Sequence, residues 1–510
     1  MRSILFPHHA NTRFLIVLTF LLLAMTARTA TDPDLWWHLR TGELILETGD
    51  IPHTDPFSFT RIGHPWLTHE WLSDVLFFEL WKHGGTAALI IFAAVFTTTG
   101  FMILYLRCSK PARWAAAATA LGALAAAPSW GVRPQMFTFT FTSLLLWLIE
   151  RGEQRPKVLL WIPPLFLLWL NLHAGFALAI ALLLAYGVGL LWETATGTTS
   201  WNEIHPLILR TVGILSVCLA LVPLNPNGFR LYRYPFDTLL SSGMRSFIVE
   251  WASPDFHKEL YLPLLVLWLT LIVVLVFGFG RSNSRLKARI FVPFLFTAFA
   301  ALDAVRHIPI FVVMAVPVIA AGLPLIWPRS GEKFSAKNRN ANTPKFRSIF
   351  ALVAVLLIVV FMTEKWVTVI RNQTSSEAEA FPEKALALLG TRDYPRNLFV
   401  YYDWGGYALW KLYPQHLIFI DGRADLYGDE ILHQFRTVMQ LGNGWRSILD
   451  NWKIEALIVP PSSAVAQALL LDTGWHAVFR DSQSVILLKD RPLTSGQTSA
   501  GVESPGPGTS

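Results

Sequence analysis

The sequence predicts a polytopic α-helical membrane protein of about eleven transmembrane helices with a C-terminal external α/β domain. Three observations predict it. Of 510 residues, 53% are hydrophobic and 15% are Asp, Glu, Lys or Arg, against about 25% charged in a soluble domain. Apolar runs recur over about the first 365 residues, several of them long enough to cross a bilayer. Beyond residue 375 the chain becomes more polar, and strand-like runs alternate with helical ones. One water-soluble core cannot also hide 21 Trp and 35 Phe. Soluble enzyme, disulfide scaffold and disordered chain are excluded.

The spans fall at 14–30, 86–106, 112–128, 135–150, 158–172, 175–192, 207–224, 260–279, 290–303, 308–327 and 347–363. The basic residues behind the net charge of +7 sit in the short loops between them, so they read as topology signals and not as a nucleic-acid surface. Lys and Arg concentrate on the side that holds the N-terminus and the loops at 107–113, 151–157, 281–289 and 329–347. That side is expected to be cytoplasmic, which puts the chain after about residue 364 outside. The first run is read as an uncleaved anchor in preference to a signal peptide. A bacterial inner membrane suits the whole. The two cysteines, Cys108 and Cys218, lie in or beside different spans and make neither a disulfide framework nor a metal site.

Between the first two spans, a long external loop at 31–85 contains two amphipathic stretches, 35–47 and 70–83, with Trp, Leu or Phe at helical spacing. They are expected to lie in the membrane interface. The external domain at 375–490 is expected to have strands at 397–401, 416–420, 456–459, 476–480 and 485–488, and helices at 382–389, 405–412, 429–441 and 464–471. The last 20 residues, 491–510, read as a disordered tail by composition.

Candidate chemistry starts with Asp32 and Asp34, where the first span ends. Carboxylates beside an apolar surface are partly desolvated and suit a general base or a hard-cation ligand. Equally, "DPDLWW" reads as a helix cap with Pro33 in the first turn. His38 and Arg40 follow one turn on, and His69 and Glu70 open the second amphipathic stretch. Further polar groups stand at other external span ends: Arg133 in "WGVRPQ", Asn171 and His173 in "LNLHAGF", and Asp303, Arg306 and His307 in "LDAVRHIP". A loop at about 224–251 adds Arg230, Arg233 and Glu250. Ionisable groups at membrane depth are costly and usually face a cavity. A carboxylate with Arg and His at an outer membrane face suits a polyprenyl-phosphate sugar donor: Arg grips the phosphate, and a carboxylate deprotonates or orients the acceptor. The outer compartment lacks nucleotide sugars, so a lipid-linked donor is the plausible currency there.

With those residues in place, the chain resembles the GT-C superfamily of integral-membrane glycosyltransferases. "DLWWHLRTGELILETG" is similar to a stretch of the oligosaccharyltransferase catalytic subunit with an Asp, an Arg six residues on and a Gly fifteen on; Asp34, Arg40 and Gly49 match that spacing. The resemblance implies that Asp34 is the catalytic carboxylate, with Asp32 in reserve and Glu70 nearby. Among the polar residues at the external span ends and in the first loop, Arg306, His307, Arg133, His173, Arg40 and His38 are expected to bind the donor phosphate. "VYYDWGGY" is similar to that family's acceptor-recognition motif, implying that Tyr402, Asp403 and Trp404 touch the acceptor; a helix cap with packed aromatics before a Gly-Gly turn fits the same residues.

The family's second external loop carries an Asp-x-Asp metal site, whereas here that loop reads "SWGVRPQ" without a carboxylate. No cofactor is therefore assigned. A divalent cation, Mg2+ or Mn2+, stays open, and Arg133 stands ready to supply positive charge instead. The expected partners are the polyprenyl-phosphate sugar, membrane lipid and a glycan, lipid or protein acceptor of the cell envelope, with no nucleic acid. Two alternatives use the same surfaces: a flippase for a lipid-linked glycan intermediate, and a non-catalytic scaffold with a binding domain.

Overall fold

A computed structural model of the chain describes residues 12–108, 111–280, 286–327, 345–391 and 394–490. The tail expected at 491–510 lies outside the described residues, as do the basic segments 281–285 and 328–344. Each apolar run predicted above coincides with helix. Among the described residues, five helices are long and apolar enough to cross a membrane: Trp71–Arg107, Phe176–Ala195, Trp201–Leu224, Glu259–Phe279 and Val305–Ile326. Others are shorter than the ~20 residues that guide a crossing: Ala112–Ala126 has 15 residues and Ile162–Leu172 has 11. Eleven crossings therefore remain an expectation. Within the bundle, 78% of the apolar window of Val305–Ile326 is buried, against 17% for Trp201–Leu224. The first is thus the central helix, and the second turns Leu209, Val212 and Val217 outward.

The first amphipathic stretch forms the helix Leu35–Thr48, which buries Trp36, Trp37, His38 and Leu39 and stops at Gly49, whose φ of 70° lets its N–H reach Ile45 O. Its Gly42 lies against the backbone of Asp74, so close that a Cβ would overlap the Asp74 carbonyl. The second amphipathic stretch runs into the following apolar run as one helix, Trp71–Arg107, broken only where Gly84 and Gly85 leave helical geometry. Gly85 has φ 61°, a conformation that glycine adopts without a Cβ clash.

The α/β domain contains a five-stranded sheet in the order β2-β1-β3-β5-β4, with β1 at Asn397–Val400, β2 at Leu417–Ile418, β3 at Ala456–Val459, β4 at Trp475–Arg480 and β5 at Val485–Lys489. β1 is parallel to β2 and β3, and β5 is antiparallel to β3 and β4. β2 is shorter than expected because the loop between the first two apolar runs takes over part of its edge: Phe59 N–H donates to Ile418 O, and Thr60 Oγ1 donates to Phe419 O. The helix expected from 429 starts at Ala424 and is interrupted at Gly428. The short helix Trp445–Asn451 was not expected.

One buried side chain fastens this domain to the loop. Arg423, 1% exposed, donates Nη2 to Asp421 Oδ2 at 2.6 Å and Nη1 to Asp55 Oδ1 at 2.7 Å, while its plane lies 4.5 Å from the Trp66 ring centre. Asp55 is itself fixed by the backbone N–H of Phe57 and Ser58. A guanidinium is buried at tolerable cost only when it is paired and hydrogen-bonded in this way.

Candidate active site

Where the loop, the span ends and the α/β domain meet, they enclose a cavity of about 970 Å3. Of the residues assigned from sequence, Asp32, Asp34, Glu70, Arg133, His173, Arg306, His307, Tyr402 and Asp403 line it. His38, Arg40 and Trp404 do not.

On one wall, Arg133 collects three carboxylates, each on a different nitrogen. Nε lies 3.1 Å from Asp32 Oδ2, Nη2 lies 2.8 Å from Asp34 Oδ2, and Nη1 pairs with Glu250. The two Asp residues have separate jobs. Asp32 Oδ1 accepts the Asp34 N–H at 3.0 Å and so shapes the turn into the helix. Asp34, at the N-cap position, makes no capping bond; it accepts Trp37 Nε1–H at 3.3 Å and Arg133, with its carboxylate at the cavity. Burial raises Asp32 to about 7, with Arg133 opposing and Asp34 and Glu250 reinforcing. Glu250 feels burial too, but Arg133 and then Arg306 hold it below the ordinary range.

Arg306 begins the central helix. Its guanidinium lies 4.4 Å from the Trp251 ring centre and, among the described residues, makes no ion pair. His307 directs Nδ1 to Ala300 O at 3.2 Å, so that nitrogen is a donor and the neutral ring turns only a lone pair elsewhere. Five polar atoms of cavity-lining residues are buried without a hydrogen-bond partner among the described residues: Asp74 Oδ2, Ser129 Oγ, Gln135 Oε1, Trp251 Nε1 and Arg133 Nε, which faces Asp32 as an ion pair alone. Buried polar atoms are normally satisfied, so a wall with several open ones is suited to a polar ligand.

A second cluster surrounds Glu70, with His38 Nε2 at 3.6 Å, His69 Nε2 at 3.3 Å and His173 Nε2 at 3.4 Å. The ring tautomers follow from the far nitrogens. His69 Nδ1 faces Leu67 O at 3.0 Å and must carry a proton. His173 Nδ1 accepts the Gly175 N–H at 3.0 Å and faces Thr138 Oγ1 at 2.6 Å, so its proton sits on Nε2 towards Glu70. Burial disfavours both charged rings, yet Glu70 beside His69 raises that ring to about 9, while His173 falls to about 4. Burial alone would raise Glu70; the charges of His69, His173 and His38 hold it far below the usual range. His173 and His38 are thus committed to Glu70, and His38 also to Asp74 at 2.5 Å.

These shifts set a pH window. A raised His contributes stability fully below its unfolded value of 6.5 and loses it as pH climbs through about 9. A lowered His, such as His173, costs stability as pH falls from 6.5 towards 4. Above pH 6.5 the melting temperature in detergent should therefore fall as His69 loses its proton. His69→Gln should flatten the alkaline limb, removing on the order of 2–3 kcal/mol of pH-dependent stability. An unchanged alkaline limb would refute the His69–Glu70 pairing.

Arg40 stands apart from the cavity. It donates to Trp410 O at 3.0 Å and Tyr413 O at 3.2 Å, pairs with Glu43 at 2.5 Å and lies over the Trp410 and Tyr413 rings. Its contacts dock the α/β domain and do not face a phosphate. Trp404 likewise is buried and donates Nε1–H to Ala380 O at 3.1 Å. Within "VYYDWGGY", Gly406 meets Pro33 O, and Gly422 of the following strand end sits so close to Asp34 that a Cβ would overlap its carboxylate. Among residues not assigned from sequence, Glu250, Trp251, Tyr234 and Asp425 line the cavity. Glu250 carried a readable signal, being with Asp237 one of two carboxylates in an otherwise aromatic and basic loop.

No protein-family model and no curated protein matches the chain. Its fold is similar to those of solved oligosaccharyltransferase and ArnT structures. It is similar to the apo oligosaccharyltransferase of Archaeoglobus fulgidus, with a TM-score of 0.56 and 11% identity over 88% of this chain and 69% of that one. AglB from the same organism, in complex with an inhibitory peptide and a dolichol-phosphate, aligns with a TM-score of 0.53 and 9% identity over 87% and 68%. ArnT from Cupriavidus metallidurans, bound to undecaprenyl phosphate, aligns with a TM-score of 0.50 and 15% identity over 93% and 96%. At these identities the likeness is one of fold.

Proposed function

We propose that the protein is a membrane glycosyltransferase that moves a sugar from a polyprenyl-phosphate carrier to an external acceptor. One observation carries the reading: a carboxylate free of capping duty and an arginine without an ion pair among the described residues, from distant segments, line the same cavity at the ends of apolar helices. The solved neighbours bound to dolichol-phosphate and undecaprenyl phosphate support a lipid-phosphate donor.

In this reading Asp34 takes the proton of the acceptor hydroxyl or amide as that atom attacks the anomeric carbon. The bond from that carbon to the phosphate oxygen breaks with inversion, and its electron pair leaves on the polyprenyl phosphate. Arg306 meets the developing charge, with a planar fork matched to phosphate oxygens. Glu70 and its three imidazoles hold the floor of the cavity, and Tyr402 and Asp403 lie on the acceptor side. The N-terminus is cytoplasmic and the α/β domain external, in a bacterial inner membrane.

The residues do not fit a divalent cation as they stand. Asp32, Asp34 and Glu250 converge on Arg133, and no group of three metal-ligating residues occurs among the described residues.

The test is reconstitution with a polyprenyl phosphate carrying a radiolabelled sugar and an envelope extract as acceptor. Label should pass to an acceptor as free polyprenyl phosphate appears in equal amount. Label that crosses the bilayer still attached to its carrier would replace this reading with that of a flippase.

A further inference from the structure

We infer that the Arg133 guanidinium is the resident cation of this site, holding Asp32, Asp34 and Glu250 where a divalent metal would otherwise sit, so that the native protein binds no metal there. The inference deepens the transferase reading, but its test does not depend on it.

The argument is geometric. A guanidinium has three nitrogens, and here each faces a carboxylate of its own: Nε towards Asp32, Nη2 towards Asp34 and Nη1 towards Glu250. The three acids come from two segments far apart in sequence, and Arg133 from a third, so their convergence is a property of the fold. Arg133 is only 20% exposed and sits on the loop before the helix Gln135–Gly152. A hard cation would need those same carboxylate oxygens. It would also have to share a low-dielectric hollow with a guanidinium that cannot lose its proton. Electrostatics therefore lets one cation or the other occupy the centre. Arg306 nearby adds further positive charge to the same wall. Removing Arg133 leaves three acids facing each other, a ready ligand set for Mg2+ or Mn2+.

The experiment is a Mn2+ titration followed by electron paramagnetic resonance on the full chain in nanodiscs. Native protein and Asp34→Asn should leave the free Mn2+ signal equally unaffected. Arg133→Ala should show a saturable loss of that signal, and Arg133→Ala combined with Asp34→Asn should lose the site again. Depletion of free Mn2+ by native protein that Asp34→Asn abolishes would overturn the inference, as would a well-folded Arg133→Ala that gains no site. Should Arg133→Ala not yield monodisperse protein, Arg133→Gln takes its place, and the comparison of native protein with Asp34→Asn decides by itself. The readout is metal binding, so the result holds whether or not the chain transfers sugar.

Discussion

Asp34→Asn should abolish sugar transfer, lowering kcat by about 10^2–10^4, the usual weight of a positioned general base. The substitution is close to a clean removal of the proton acceptor. Asn keeps an oxygen for Trp37 Nε1–H, and Arg133 keeps Asp32 and Glu250. Gly422, which admits the Asp34 side chain, tolerates an amide of equal size. Expression and melting should therefore stay near native, and competition by undecaprenyl phosphate for the donor site should persist. Asp32→Asn is the control. Its oxygen can still accept the Asp34 N–H, so the turn survives and the loss of transfer should be smaller. Native transfer rates in Asp34→Asn, with normal expression, would remove Asp34 from the chemistry and hand the role to Asp32 or Glu70.

What the sequence disclosed about this site follows a physical line. Apolar runs are local signals, and the helices fall where those signals put them; the break at Gly84 and Gly85 lies between the second amphipathic stretch and the span that follows. Charged groups at span ends are costly enough to be informative, and Asp34, Glu70, Arg133, His173 and Arg306 all reach the cavity. Arg40 shows the limit. It lies six residues after Asp34, and at about 100° per residue that is about 240° around a helix, so the two side chains leave on different sides. His38, four residues on, returns to the face of Asp34 and approaches Glu70. Spacing along one motif therefore placed the backbone correctly while misassigning a side chain. Nothing local announces that Arg423 will meet Asp55 across more than 360 residues, or that Glu250 will share Arg133 with Asp34. Such pairs are made by tertiary packing and have no period to read.

The same packing explains why the α/β domain sits where it does. Gly406 and Gly422 let its backbone touch the turn that carries Asp34, Arg40 grips its carbonyls, and Arg423 ties it to the external loop. One wall of the cavity, with Tyr402, Asp403 and Asp425, is thereby built by a domain more than 360 residues from Asp34. The aromatic-Asp-aromatic-Gly run contributes at least as much to this docking as to any contact with an acceptor, since Trp404 faces inward while Asp403 is exposed.

Arg306→Ala should weaken the grip on the carrier, with a rise in KM for the lipid-linked donor and a fall in kcat that together cost about 10^2–10^3 in kcat/KM. Both parameters should move because the charge on the phosphate exists in the bound donor and grows as the sugar leaves. The substitution strands no carboxylate, since Arg306 makes no ion pair among the described residues; its contact is the face of Trp251. Loss of that contact removes about 1–2 kcal/mol of cation–π attraction at a partly desolvated site, too little to unfold the bundle. Arg306→Lys separates charge from shape. An ammonium keeps the charge but neither stacks flat on Trp251 nor offers two parallel N–H groups to a phosphate, so its activity should fall between native and alanine. Undecaprenyl phosphate, used as a competitor, reads the binding half alone: its inhibition constant should rise in the order native, lysine, alanine. Equal inhibition of all three would place the phosphate elsewhere in the cavity, with Arg133 the next group to test.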